Sequence, residues 1–159
     1  MIRLKELVSY LDDYLQTRTI PDYSGAHNGL QVEGKEEIHR VAVAVDACLY
    51  SIERAIEAQA DLLIVHHGLF WGKTVPLTGP YYQRIERLVR NRLAVYSSHL
   101  PLDVHPEVGN NAVLARRLGF TPIGTFLEYR GYPLGVLAES DISLAELERR
   151  IQQIGRAHV

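Results

Sequence analysis

Three short β-prone runs constrain this chain more than any other feature. Val41–Val45, Leu62–Val65 and Leu93–Tyr96 alternate with segments whose apolar residues recur at helical spacing. Ile52, Ala55 and Ile56 mark one helix between residues 49 and 60, and Ile85, Leu88 and Val89 mark another over Tyr82–Arg90. Strand, helix, strand, helix, strand is the pattern of right-handed βαβ crossovers, so the alternation predicts an α/β fold with a largely parallel sheet and helices on both faces. The unbroken run Val41–Val45 predicts a strand covered on both sides. An amphipathic helix is expected over residues 2–16, from Leu4, Leu7, Val8, Leu11 and Leu15. Residues 17–38 lose periodicity and carry Pro21, Gly25, Gly29 and Gly34, which read as turns.

Beyond the third run the pattern changes. A helix over 109–118 is expected to end at Gly119 in a left-handed cap. Ile123–Glu128 and Tyr132–Ala138 then read as a β-hairpin turning at Arg130-Gly131. Ser143 and Glu146 form a capping box that opens a last helix, with Leu144, Leu147, Ile151 and Ile154 as its buried stripe. With 159 residues, 47% of them hydrophobic, the chain has material for one core, and residues 1–159 are read as a single α/β domain. Seventeen basic residues against 19 acidic ones leave a net charge of −2, which gives no bulk attraction for nucleic acid. The longest dense apolar run, Leu62–Val65, is far short of the roughly 20 residues that span a bilayer. No signal-like start precedes it, so a soluble cytoplasmic protein is expected. The lone Cys48 has no intrachain disulfide partner and reads as a small buried residue.

In open α/β sheets ligands bind beyond the carboxyl ends of the strands. Here those ends hold Asp46, then His66-His67-Gly68, then His99, Asp103 and His105. Side chains of neighbouring strand residues point to opposite faces. At a strand end followed by glycine the backbone is freer, and both imidazoles can turn into one cleft. Imidazole and carboxylate are the usual ligands of zinc, iron and manganese, and a His-His-Asp set with open positions suits a catalytic site. The competing reading is that these histidines are surface or hydrogen-bonded residues. Asp46 is either an acid that orients an imidazole or a helix cap. His27 can join the cleft from the glycine-containing loop, whereas His39 and His158 read as surface residues. Phe70 and Trp71 read as core residues, or as the walls of a pocket for a flat ligand. Gly29, Gly34 and Gly68 form no phosphate-loop pattern.

Three segments make a more specific match. Asn28–Gly34 (NGLQVEG), Ile64–Trp71 (IVHHGLFW) and His99–Glu107 (HLPLDVHPE) together resemble the dinuclear metal-centre family called NGG-interacting-factor-like or type 2 GTP cyclohydrolase-like. The resemblance implies an α/β fold and up to two divalent ions. It also implies a small-molecule substrate, metal-dependent hydrolysis and a homo-oligomer in the form of a toroidal hexamer. By position it makes His66, His67 and Asp103 metal ligands. It places His99 and His105 near the site, where either imidazole can carry protons in catalysis. Members usually continue further and contribute a His-x-x-x-Glu pair to the metals; no such pair follows Asp103 here, and His158 is the only histidine after His105. The chain is therefore expected to correspond to the amino-terminal half of a member. The alternative expectation is a non-catalytic metal-binding scaffold or interaction module, or an inactive fragment.

Overall fold

The computed structural model describes residues 1–154, and its elements follow the alternation read from the sequence. In chain order they are β1 (Ile2–Arg3), α1 (Leu4–Tyr14), β2 (Gly29–Val32), β3 (Glu37–Ile38), β4 (Val41–Asp46), α2 (Leu49–Glu57) and β5 (Leu62–His67). After them come α3 (Gly79–Asn91), β6 (Ala94–Ser97), α4 (Leu100–Asp103), α5 (Asn110–Leu118), β7 (Thr121–Tyr129), β8 (Tyr132–Glu139) and α6 (Leu144–Ile154). The chain divides into two compact units, Met1–Pro101 and Leu102–Val159. Among the described residues no helix is long and apolar enough to cross a membrane.

The first unit is built on a four-stranded sheet in the order β2-β6-β5-β4. The three strands expected from the apolar runs are parallel neighbours, with Ala42 beside Leu63 and Leu63 beside Val95. This row faces α2 and α3, where Ile52, Ala55 and Leu88 complete a buried cluster with Val65. Within it Ile52 and Leu88 are 0% exposed. Fully burying side chains of this size contributes roughly 1.5–3 kcal/mol each, which is what holds the helices on the sheet. The opposite face carries the row Val43, Ile64 and Tyr96. There the buried Tyr96 hydroxyl donates to Asp12 of α1 at 2.8 Å and lies 2.9 Å from Thr17 Oγ1. Helices thus stand on both faces.

Two features depart from the sequence reading. β4 is an edge strand, and Val41, Val43 and Val45 are 44%, 79% and 63% exposed, so the run is covered on one side only. α1 reaches the β2–β6 side of that face and leaves β4 open. β2 lies inside the stretch read as turns and pairs antiparallel with β6. It is four residues long and begins at Gly29 with φ +100°, so its extended state comes from pairing with a distant strand rather than from local propensity.

The same unit contains a buried acid beside β5. The Asp61 carboxylate accepts from Lys35 Nζ at 2.7 Å and from the His39 and Arg40 N–H groups at 2.8 and 3.0 Å. Burial alone would raise its pKa. The three donors outweigh that and bring it down to about 2.

In the second unit β7 and β8 form the expected hairpin, turning through Arg130 and Gly131 at φ +50° and +84°. Gly119 caps α5 in the left-handed region, also as expected. The capping box is half made. The Glu146 N–H donates to Ser143 Oγ at 3.3 Å, but the Glu146 carboxylate turns to Arg149 and Arg150. The predicted stripe of α6 is not buried: Leu144 is 71% exposed and Ile151 52%. A two-stranded hairpin and two helices offer too little surface to cover it.

Candidate metal centre

The register of the parallel strands positions this site. Asp46 and His67 are paired partners at the ends of β4 and β5, and Val65 pairs with Ser97 at the end of β6. His99 follows two residues later. Three imidazoles therefore meet beyond the carboxyl edge of the sheet. Ring centroids are 4.5 Å apart for His66 and His67, 4.8 Å for His66 and His99, and 5.6 Å for His67 and His99. The adjacent His66 and His67 converge because the strand ends there. The following Gly68 lets the Gln31 amide lie against the main chain, where a Cβ would force that amide to shift.

The Nδ1 atom of each ring faces an acceptor. His66 Nδ1 donates to the Ser98 carbonyl at 3.1 Å, His67 Nδ1 to Asp46 Oδ1 at 2.7 Å, and His99 Nδ1 to Asp22 Oδ1 at 3.0 Å. A carbonyl or carboxylate only accepts, so in each neutral ring Nδ1 carries the proton and Nε2 the lone pair. One donor atom from each histidine lies within 4.8 Å of the other two. Carboxylates or carbonyls behind the rings are the usual way a protein fixes the tautomer of metal-binding histidines. The donor set therefore fits a divalent cation of the zinc, iron or manganese type.

Asp22 is the best supported of these partners. Its side chain is 6% exposed and that of His99 13%, against 44% for His67 and 60% for Asp46, so the cluster has a sheltered side and an open one. Burial works to raise the Asp22 carboxyl. Hydrogen bonds from Asn28, His99 and the Leu100 and Tyr23 N–H groups outweigh it and hold the group below the usual carboxylate range. Asn28 closes the ring of contacts, with Nδ2 donating to Asp22 at 2.8 Å while Oδ1 accepts from the His99 N–H at 2.7 Å.

Asp103 and His105 belong to the second unit. Asp103 Oδ1 accepts from Asn110 Nδ2 at 2.7 Å, and the buried His105 accepts at Nδ1 from the Glu107 and Val108 N–H groups at 3.2 Å each. Asp46 proves to orient an imidazole, and the cap of α2 is Cys48, which is exposed rather than buried. His39 is an exposed residue, as read, and His158 lies outside the described residues. Sequence reasoning gave Asp22 no role and left Asn28 as part of a motif. The only hint was a carboxylate, Asp22, in the loop just before the matched segment that Asn28 opens.

Trp71 stands beside the cluster, its ring edge-on to His99 at 5.0 Å, with Nε1 donating to the Gly68 carbonyl at 3.0 Å. Its segment is tied to the loop before β2 by an Ala26–Trp71 bridge and by the contact of Gly25 with Gly72. Gly72 has φ +62°, and a Cβ there would come within 2.8 Å of the Gly25 Cα. Between these segments lies a cavity of ≈ 360 Å³ lined by His27, Gln31, Phe70, Trp71 and Lys73 among others.

The chain matches the Duf34/NIF3 (NGG1p interacting factor 3) family over residues 2–159. It is 43% identical over 151 residues to a Deinococcus radiodurans protein named GTP cyclohydrolase 1 type 2 homolog, covering 94% of this chain and 57% of that protein. A Pyrococcus abyssi protein of the same name is 48% identical over 135 residues, covering 85% of this chain and 53% of the relative. The chain thus spans a little over half the length of these relatives. Among solved structures, TTHA1606 from Thermus thermophilus is 47% identical with a TM-score of 0.75, over 79% of this chain and 51% of that one. The protein ybgI, described as of unknown function, is 37% identical with a TM-score of 0.84, over 96% of this chain and 60% of that one.

Proposed function

We propose a function from one premise: the chain belongs to the Duf34/NIF3 (NGG1p interacting factor 3) family. The proposed activity is metal-dependent hydrolysis of a small molecule at the cluster of His66, His67 and His99. The observation that carries it is the three imidazoles with one ligand atom from each within 4.8 Å of the others, every Nδ1 held by an acceptor. His66, His67 and His99 would hold the cation through Nε2. When bound, a divalent cation supplies Lewis acidity and brings the pKa of water toward about 7. Asp22 holds the His99 ring in place from the sheltered side. Asp46 holds the His67 ring from the open side. The relatives' name makes GTP the first substrate to try. The ligand role of Asp103, a second ion and a hexameric assembly rest on the resemblance, and the proton-carrier role expected of His99 or His105 falls to His105, since His99 would have Nε2 on the cation and Nδ1 on Asp22.

Elemental analysis of the purified, dialysed chain tests the reading. The wild type is expected to retain at least one equivalent of divalent metal, and the double variant His66→Ala/His67→Ala to retain none. Stoichiometric metal in the double variant overturns the assignment. Asp103→Ala in the same assay decides whether that carboxylate is a ligand. Retained metal without hydrolysis of GTP removes the hydrolase reading for that substrate and leaves a metal-binding scaffold.

A further inference from the structure

β2 is irregular at one residue. Leu30 pairs with Tyr96 and Val32 with Val95, so Gln31 is an extra residue without a partner on β6. A bulge of this kind re-aims the side chain it carries, and bulges are common beside functional sites for that reason. Here the Gln31 amide reaches from β2 to the turn that follows β5, although β6 lies between the two strands. Its Oε1 accepts from the Leu69 N–H at 2.7 Å, and its Nε2 donates to the His27 carbonyl at 2.6 Å. Both ends of the amide are committed, because exchanging its oxygen and nitrogen would set donor against donor and acceptor against acceptor. The turn it holds is the one that carries His67. There the His67 carbonyl accepts from the Ala47 N–H at 2.9 Å, and the Gly68 carbonyl accepts from Trp71 Nε1 at 3.0 Å. The tie to Gln31 is the one that joins this turn to the segment fixing His99. Asn28, three residues earlier, accepts from the His99 N–H at 2.7 Å and donates to Asp22 at 2.8 Å. Two amides of one short segment thus hold the cluster, Asn28 from the His99 side and Gln31 from the His67 side.

We propose that Gln31 is a positioning residue of the imidazole cluster, an amide turned by the bulge to fix the chain after His67 and, with it, the placement of the His66 and His67 rings against His99. The proposal rests on the reading of that cluster as the metal centre, and it requires no contact between Gln31 and the cation. Groups that hold a ligand from behind typically govern metal affinity by about 10–100-fold. Gln31 acts one step further out, on the main chain that carries the ring, which puts its effect at the low end of that range. A main-chain N–H deprived of its acceptor must find another, and the turn that bears it shifts to do so.

Gln31→Met keeps the length of the side chain and removes both hydrogen bonds, whereas Gln31→Glu keeps an oxygen for the Leu69 N–H. Both are compared, in the full chain, with the wild type and with Leu93→Val, which trims the buried core just ahead of β6, at the opposite edge of the sheet from the imidazoles. Histidine-ring NMR of the metal-free chain reads the placement of the rings, and a Co2+ titration followed by visible absorption reads affinity and ligand geometry. Gln31→Met is expected to move the ring signals of His66 and His67 and to leave that of His39. It should also weaken Co2+ binding by about tenfold and alter the absorption spectrum. Gln31→Glu should stay closer to the wild type in both readouts. Leu93→Val should lower the unfolding midpoint and leave the ring signals and the spectrum unchanged. Unmoved ring signals in Gln31→Met, a Gln31→Glu chain no closer to the wild type than Gln31→Met, or the same changes in Leu93→Val each overturn the proposal. Co2+ bound by the wild type and bound equally well, with the same spectrum, by Gln31→Met removes the role of Gln31 and leaves the metal centre standing. A wild type that takes up no Co2+, with rings that move in Gln31→Met, removes the metal reading and upholds Gln31 as the residue that sets the rings.

Discussion

The first unit carries its own core, and the second does not. Leu62, Leu63, Val65, Leu88, Leu93, Val95 and Tyr96 are all 0–1% exposed, and every one belongs to the first unit. Among the described residues of the second, the buried apolar ones are Ala112 and Ala115, at 6% and 8%, while Phe126 and Leu137 on the hairpin are 58% and 51% exposed. The difference follows from architecture. A sheet between layers of helices removes whole side chains from water, whereas a lone hairpin with two helices exposes at least one face. It also shows where accuracy of placement resides. His66 and His67 grow from a strand end fixed by a close-packed interior, and His99, two residues beyond β6, is held by Asp22 and Asn28 of the segment before β2.

The most direct way to break this contrast is to remove matched volume from each unit. Leu63→Ala is expected to cost about 2–5 kcal/mol, because a cavity opens in a packed layer. Phe126→Ala is expected to stay within about 0.5 kcal/mol, as exposed substitutions do. Urea unfolding followed by both fluorescence and circular dichroism measures both, and equal losses would refute the contrast. A smaller effect sharpens the link from core to site. Asp22→Asn should weaken divalent-cation binding by about 10–100-fold, since the support behind His99 is lost. Competition with a chromogenic chelator reads this, and an unchanged affinity would show that His99 is not held for a ligand. The smallest effect concerns acid. Asp61 is depressed from an ordinary 3.8 to about 2, so its contribution is complete above pH 4 and is lost as pH falls through about 2. The first unit should lose stability across that window, and Asp61→Asn should flatten the dependence in the same melts.

Much of the first unit was legible in advance. Val41–Val45, Leu62–Val65 and Leu93–Tyr96 announced strands through composition, and the rule that ligands gather at carboxyl ends pointed at His66 and His67 and at the segment holding His99, Asp103 and His105, of which His66, His67 and His99 stand together. What escaped was whatever depends on pairing across long stretches of chain. β2 has no periodicity of its own and exists because β6 accepts it. Asp22 is one carboxylate in a loop, indistinguishable from a solvated one until the fold brings His99 to it. The coverage of Val41, Val43 and Val45 was misjudged for a related reason, since a valine run indicates a strand without saying whether it lies at the centre or the edge. Cys48 was misjudged likewise, because its residue type favours burial and its position at the start of α2 favours exposure.

The contact of Gly25 with Gly72 has a consequence for anyone who wishes to alter this protein. Two main chains meet there so closely that a methyl group on Gly72 would overlap Gly25 and one on Gly25 would press on Gly72, and Gly72 also holds a torsion that other residues resist. The path of the segment bearing Trp71 is thereby barred from gradual drift: a point change at either glycine displaces the whole wall at once. Side chains along this wall are best exchanged on a fixed frame, and a library built on that frame should hold both glycines constant.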